Sequence, residues 1–339
     1  GTGLLRQTLI FFREPVKDRD LMGELLGGQS YFQCVEENLS YEQICLENQR
    51  ETEWDKQRFD VLEEQTVETS AAVKQEEVKK QEDVRVEKLK KTKDSGYLLQ
   101  NFYIVDSTTS VTKKQFQVEK LLGANMKLVK EPGKKQVLIY HTHAASEGFA
   151  DSTKKESDSV IGVGDELTKA LEKKGYGVIH DRTKYDLVQG RLDRSLAYNQ
   201  ALASVEKILQ KNPSIQVVID LHRDSVGKGK HTYTTINGKK CAIVMFFNGM
   251  SRSKNGPIPY LYNENLTDNL AFSLQLKCLA MERYPGFTKP IYLKGYRYNL
   301  HLRKRSLLIE LGNENNTVEE AKNAASPLAE VIAGVLAGN

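Results

Sequence analysis

Only four cysteines occur in the chain, Cys34, Cys45, Cys241 and Cys278, and no two of them stand at CxxC or any other zinc-knuckle spacing. A cysteine-held metal and a disulfide-dense scaffold are both excluded. No run of eighteen apolar residues is present, so nothing within these 339 residues reads as a membrane-spanning helix. A surplus of one charge sign is also lacking: 49 basic residues stand against 45 acidic ones, a net charge of +4. Nucleic acid calls for a clustered basic face and is set aside as a partner. The first residues are Gly-Thr-Gly and not Met, which leaves room for an upstream signal or membrane anchor, so localisation cannot be read from the terminus.

What is there is a chain long enough for one large domain with an appendage, or two modest domains. Its hydrophobic share of 39% is low and its charged share of 28% high, so some part of it is mostly solvated. Residues 1–50 mix apolar clusters with charges, and LLRQTLIFF has the pattern of a short amphipathic helix. Residues 51–95 are a charged linker (QEEVKKQEDVRVEKLKK) with isolated valines on no sustained heptad. That composition reads as solvated helix or disordered chain in preference to a coiled coil.

Residues 96–339 change character. LLQNFYIVDS is enriched in aromatic and β-branched residues and reads as a strand; KKQFQVEKLLGAN reads as a helix closing on Gly123. QVLIYHTH is a strand, and VIGVGDELTKALEKKG an amphipathic helix ending at Gly175 and leading into the strand YGVIHD. LDRSLAYNQALASVEKILQKNP is helical up to Pro213, followed by the apolar strand SIQVVIDLHRDS. CAIVMFFNG is one strand, NENLTDNLAFSLQLKCLAMERYPG a helix and SLLIELGNENN a last strand. The final helix, NTVEEAKNAASPLAEVIAGVLA, starts on a capping box and bends at Pro327. This alternation predicts an α/β domain with a mainly parallel sheet covered by helices on both faces. Ligands of such sheets bind at the carboxyl ends of the strands.

The polar groups that follow the strands are His141, His143 and Glu147 after QVLIY; His222, Arg223 and Asp224 after VVIDL; Asn248 after IVMFF; and Glu310 after SLLI. Only six histidines exist, and three of them fall just after buried strands, where a polar group is costly unless paired or bound to metal. Histidines with a carboxylate suit zinc, which in catalytic sites keeps three protein ligands and one water. A further carboxylate beside that water supplies the general base. Each residue also has a plainer reading: a satisfied core histidine, a salt bridge from Glu310 to Arg303 or Arg305, or an Arg223-Asp224 pair bracing a loop. Asp224 could equally orient a liganding histidine.

FYIVDSTTSV, VLIYHTHAASE, VGDELTKALEKKGYGVIHD, VVIDLHRDS and LLIELGNENNTVEEA, in this order and spacing, resemble the family of stage II sporulation protein P over residues 97–339. That family is similar to the zinc-dependent N-acetylmuramoyl-L-alanine amidases. The resemblance implies an amidase-like α/β fold and peptidoglycan as substrate. It implies cleavage of the amide between N-acetylmuramic acid and L-alanine, with endopeptidase activity on peptide cross-links. It further implies an N-terminal anchor in the mother-cell membrane, action between mother cell and forespore during engulfment, and stage II sporulation protein D as partner. Carried over by position, His143 and His222 hold one Zn2+ per chain and Glu310 is the general base. The third ligand is Glu147 by the HTHxxxE pattern of the sporulation branch, or Glu156 by the spacing of the amidases. His141, Arg223 and Asp224 are left as groups around the metal or the substrate, and Ala144-Ala145-Ser146 is less polar than the matching stretch of relatives. A zinc carboxypeptidase-type enzyme and a non-catalytic envelope scaffold remain the alternatives; the former is disfavoured because its HxxE spacing is one residue shorter.

Overall fold

The computed structural model describes residues 71–339 apart from 154, 195, 228 and 339. The helix expected within residues 1–50 and the first part of the charged linker lie outside the described residues. The elements in chain order are α1 (Ala71–Thr92), α2 (Ser95–Phe102), β1 (Tyr103–Val105), α3 (Val118–Gly123), β2 (Lys135–Tyr140), α4 (Val160–Lys173) and β3 (Gly177–His180). A small hairpin follows, β4 (Leu187–Val188) and β5 (Arg191–Leu192), then α5 (Ala197–Lys211) and β6 (Val217–Asp224). Two further hairpins, β7 (Tyr233–Ile236) with β8 (Lys239–Ala242) and β10 (Arg252–Ser253) with β11 (Gly256–Pro257), flank β9 (Val244–Gly249). The chain closes with α6 (Leu266–Arg283), β12 (Ile291–Lys294), β13 (Arg305–Asn313) and α7 (Val318–Ala337).

Seven strands form one sheet in the order β1-β12-β9-β13-β6-β2-β3. Every neighbouring pair is parallel except β9 and β13, which run antiparallel. The last strand of the chain therefore lies in the middle of the sheet. The side-chain period of two sorts the strand residues onto two faces. Val137, Ile139, Val217, Ile219, Leu221, Leu307 and Ile309 pack into one core with α4, α6 and α7. Leu138, Tyr140 and Val218 pack on the other face against Ala197, Ala201, Val205 and Leu209 of α5. Each such aliphatic side chain contributes about 1.5–3 kcal/mol by leaving water. The expected α/β sheet covered on both faces is what forms.

Three local expectations differ. LLQNFYIVDS is not one strand: Asp94 accepts a hydrogen bond from Gly96 N at 2.7 Å and caps α2, whose Leu98 and Phe102, four apart, are buried on one helical face. Only YIV remains as β1. CAIVMFFNG is interrupted at Ile243, where the chain passes from the β7–β8 hairpin into the large sheet and the Ile243 carbonyl accepts from Gly312 N. The charged stretch, from residue 71, takes the helical of its two expected forms and is mostly exposed, but one edge of it is docked. Val86 and Leu89 of α1 are buried in the main core, Glu82 accepts from Gly286 N at 3.0 Å, and Lys90 pairs with Glu282 at 2.6 Å. This packing supplies what a helix of such polarity lacks on its own. α7 continues as one element through Pro327, and its start is the expected capping box of Thr317 and Glu320.

Candidate active site

β2 and β6 are parallel neighbours, with Tyr140 opposite Asp220, so both deliver their last residues to the same edge of the sheet. Asp220 and His222, two apart, share a face, and Glu310 of β13 stands directly across from His222 in the ladder. Beyond Tyr140 the chain folds over this edge. The Asp220 carboxylate accepts from Thr142 N at 3.0 Å and Thr142 Oγ1 at 2.6 Å. A second buried carboxylate, Asp186, accepts from Ala145 N at 2.9 Å, Ser146 N at 3.1 Å and Ser146 Oγ at 2.8 Å. These two anchors place His143 and Glu147. The His143 ring lies edge-on to His222 at 5.3 Å and to Tyr198 at 5.4 Å. Glu147 Oε1 lies 3.1 Å from His222 Nδ1, and its Oε2 accepts from Arg223 N at 3.0 Å.

The electrostatics follow from burial. Burial pushes the Glu310 carboxyl up to about 8; the negative charges of Asp224 and Glu147 add to this, and the positive charges of His222 and Arg194 oppose it. His143 is held well below the usual histidine range by burial and then by the charges of Arg194 and His222. For His222 burial also works against the charged form, but Asp220 and Glu147 outweigh it and raise the pKa well above that range.

Among the described residues no three or more His, Cys, Asp or Glu side chains converge into a ready-made metal cluster. The donors adjacent to one another, two imidazoles and a carboxylate, are nonetheless the set zinc takes. His143 Nδ1 and Glu310 Oε2 are buried with no hydrogen-bond partner. Buried polar atoms are rarely left so, and a metal with its water would satisfy both. His222 Nε2 is 2.8 Å from Asp220 Oδ1, although too poorly aligned to count as a hydrogen bond. A proton on Nε2 facing Asp220 leaves Nδ1, the atom beside Glu147, as the donor to a metal. His143, Glu147 and His222 therefore fit the group.

The other expected residues lie elsewhere. Glu156, the alternative third ligand, is at the surface, paired with Arg182 at 2.6 Å and Lys184 at 3.0 Å. His141 falls on the opposite face of the sheet from His222. Its Nδ1 donates to the Leu221 carbonyl at 2.7 Å, because a carbonyl can only accept, and its Nε2 meets His180 Nε2 at 2.8 Å. Both nitrogens are thus engaged, and His141 braces the residue before His222 instead of reaching substrate. His180 is held in turn by Asp165 at 3.0 Å. The guanidinium of Arg223 donates to the carbonyls of Gly148, Asp224 and Ser146 and lies 3.7 Å from Glu314, so it ties down the Glu147 loop. Asp224 receives Ser225 N and lies 3.6 Å from Lys289; the carboxylate beside His222 Nε2 is Asp220. Glu310 pairs with neither expected arginine, since Arg303 donates to the carbonyls of Ile215 and Leu302 and Arg305 to those of Met126 and Lys127. Asn248 is structural, accepting from Ser273 Oγ at 2.6 Å.

Three contributors were not singled out in the sequence. Asp220 could have been found, since a carboxylate inside the apolar run VVIDL raises the same question as Glu310. Asp186 sits in the polar stretch TKYDLV and Tyr198 in an ordinary amphipathic helix, and neither carries a signal.

The sequence model of the family described as Stage II sporulation protein P matches residues 23–333. The Stage II sporulation protein P of Bacillus subtilis (strain 168) is 32% identical over 218 residues, 59% of this chain and 50% of that protein. The chain thus spans about half the length of this curated relative. Among solved structures, an N-acetylmuramoyl-L-alanine amidase from Clostridium difficile 630 aligns over 60% of this chain and 94% of its own, with 15% identity and a TM-score of 0.36. The corresponding amidase from Mycobacterium smegmatis aligns over 61% and 98%, with 13% identity and a TM-score of 0.38. With the family model running through both histidine-bearing strands and the strand of Glu310, the chain belongs to the stage II sporulation protein P family.

Proposed function

We propose that this chain is a peptidoglycan hydrolase that cleaves the amide between N-acetylmuramic acid and L-alanine. The observation that carries the reading is the pair of unpartnered buried atoms, His143 Nδ1 and Glu310 Oε2, beside Glu147 and His222 at the sheet edge. A zinc ion held by His143, Glu147 and His222 supplies Lewis acidity and a water acidic enough to be deprotonated near neutral pH. Glu310 is the base that takes the proton of the attacking water and returns it to the leaving alanine nitrogen. Asp220 orients His222, and Asp186 with Arg223 fixes the loop that carries Glu147. Endopeptidase action on cross-links, anchorage in the mother-cell membrane ahead of residue 1, action during engulfment and a working partnership with stage II sporulation protein D belong to the same proposal. Among the described residues no helix is long and apolar enough to cross a membrane.

The test is digestion of purified peptidoglycan with and without EDTA, with the products identified. Free stem peptides, lost on chelation and restored by zinc, are expected. Glu310→Gln should keep about one zinc per chain and lose hydrolysis, whereas His143→Ala and His222→Ala should lose both. Released terminal amino acids would instead indicate a carboxypeptidase, and no release with zinc bound would indicate a binding scaffold.

A further inference from the structure

Of the cations near the site, Arg223 is consumed by loop carbonyls, but Arg194 is not. It lies between β5 and α5, with 46% of its side chain exposed. Among the described residues its guanidinium makes no hydrogen bond; its one ion-pair contact is Nη2 to Glu147 Oε1 at 3.8 Å. Glu147 does not depend on that contact, since its two oxygens already face His222 Nδ1 and Arg223 N. At 3.8 Å, with no hydrogen bond and the arginine half in solvent, the contact holds Arg194 only weakly.

The backbone that carries Arg194 is nonetheless tied to the site. Asp193 N donates to the Asp186 carbonyl at 2.8 Å, and the Asp186 side chain pins the Glu147 loop. Four residues after Arg194, Tyr198 sets its ring against His143. A planar fork of five donors is thus held at the mouth of the site, with its charge felt at both His143 and Glu310 and its donors unspent.

We infer that Arg194 is a specificity residue that binds a carboxylate of the substrate close to the scissile amide. This rests on the hydrolase reading above. In a muramoyl peptide the first free carboxylate beyond the L-alanine amide is the α-carboxylate of the next residue. One to two residues of extended chain, about 3.3–3.6 Å each, separate it from the bond to be cut. A guanidinium beside the metal ligands has the reach for this, and its fork matches a carboxylate bidentately where a lysine would not.

The experiment uses the zinc-loaded chain carrying Glu310→Gln, so that binding is read without turnover. It is titrated calorimetrically with N-acetylmuramoyl-L-Ala-D-Glu and with N-acetylmuramoyl-L-Ala-D-isoglutamine, in which that α-carboxylate is a carboxamide. Tenfold tighter binding of the carboxylate form is expected, equal to about 1.4 kcal/mol. Adding Arg194→Ala should abolish the preference and leave zinc content unchanged, and Arg194→Lys should restore only part of it. Equal binding of the two forms, binding of neither, or a preference that survives Arg194→Ala would overturn the inference. Cell-wall digestion by the chain with Glu310 intact keeps the two readings apart. Walls cut without discrimination between the probes sink Arg194 alone, whereas uncut walls sink the hydrolase reading.

Discussion

Gly164, in the middle of α4, is the position where packing and helix propensity make opposite demands. A Cβ there would lie 2.5 Å from His180 Nε2, 2.8 Å from His180 Cε1 and 2.9 Å from His141 Nε2, inside the hydrogen bond that joins the two rings. Neither ring can swing aside, since His141 is fixed to the Leu221 carbonyl and His180 to Asp165. If the space were open, Gly164→Ala would stabilise the helix by about 1 kcal/mol. Overpacking instead costs about 1–3 kcal/mol, and breaking a buried hydrogen bond about 1–3 kcal/mol more. The net expectation is a loss of about 1–5 kcal/mol, read as the shift in urea midpoint at constant m-value. In a His180→Ala background the two closest clashes are gone and only His141 Nε2 at 2.9 Å remains, so the same substitution should cost clearly less. The coupling energy of this double-mutant cycle should therefore be about 1–3 kcal/mol. A stabilised Gly164→Ala, or an equal cost in both backgrounds, would refute the argument that the histidine pair is what requires glycine.

Asp186→Asn keeps the shape but presents an NH2 group to an N–H, so the loop bearing Glu147 should lose about 1.5–3 kcal/mol in urea unfolding; a change below about 0.5 kcal/mol would contradict its role as the anchor. Asp220→Asn should weaken zinc binding about 10–100-fold in competition with a chromophoric chelator, because the partner that orients His222 is altered; unchanged affinity would show that the 2.8 Å approach does not matter. His301 is pushed down to about 3, chiefly by burial and then by the charge of Arg297. The unfolded chain therefore takes up a proton below about 6.5 that the folded chain refuses, and stability present above that pH is lost as pH falls toward 3. At 1.36 kcal/mol per pH unit the ceiling is about 5 kcal/mol, and His301→Gln should shrink the difference in urea midpoint between pH 7 and pH 4. An identical loss in wild type and variant would mean that His301 does not titrate this way.

The large elements were legible because their patterns are long and unmixed. QVLIY and VVIDL can only be buried strands, and VIGVGDELTKALEKKG carries one clean helical stripe. LLQNFY failed because apolar content was weighed above the four-residue spacing of Leu98 and Phe102 and the capping Asp94. The reading of α1 as solvated helix or free chain missed only its docked edge, because burial of Val86 and Leu89 depends on α6, nearly two hundred residues away. At the site, strand parity already separates His141 from His222 once the ladder is known, yet the HTH motif alone gives no face. Arg194 and Asp186 were invisible for the same reason: their importance lies in what folds over them, Asp186 standing in a polar stretch and Arg194 in one that reads as the start of an amphipathic helix.

Among the described residues β13 is the seam between two half-sheets, β1-β12-β9 on one side and β6-β2-β3 on the other. The metal-binding candidates His143, Glu147 and His222 all precede β13, but it is β13 that sets Glu310 opposite His222 and joins the halves. A chain shortened before Arg305 has no reduced version of the site to fall back on, because the base and the seam are lost together. Loss of this one strand is therefore an all-or-none change: it splits the seven-stranded sheet and removes Glu310 from beside His222 at once.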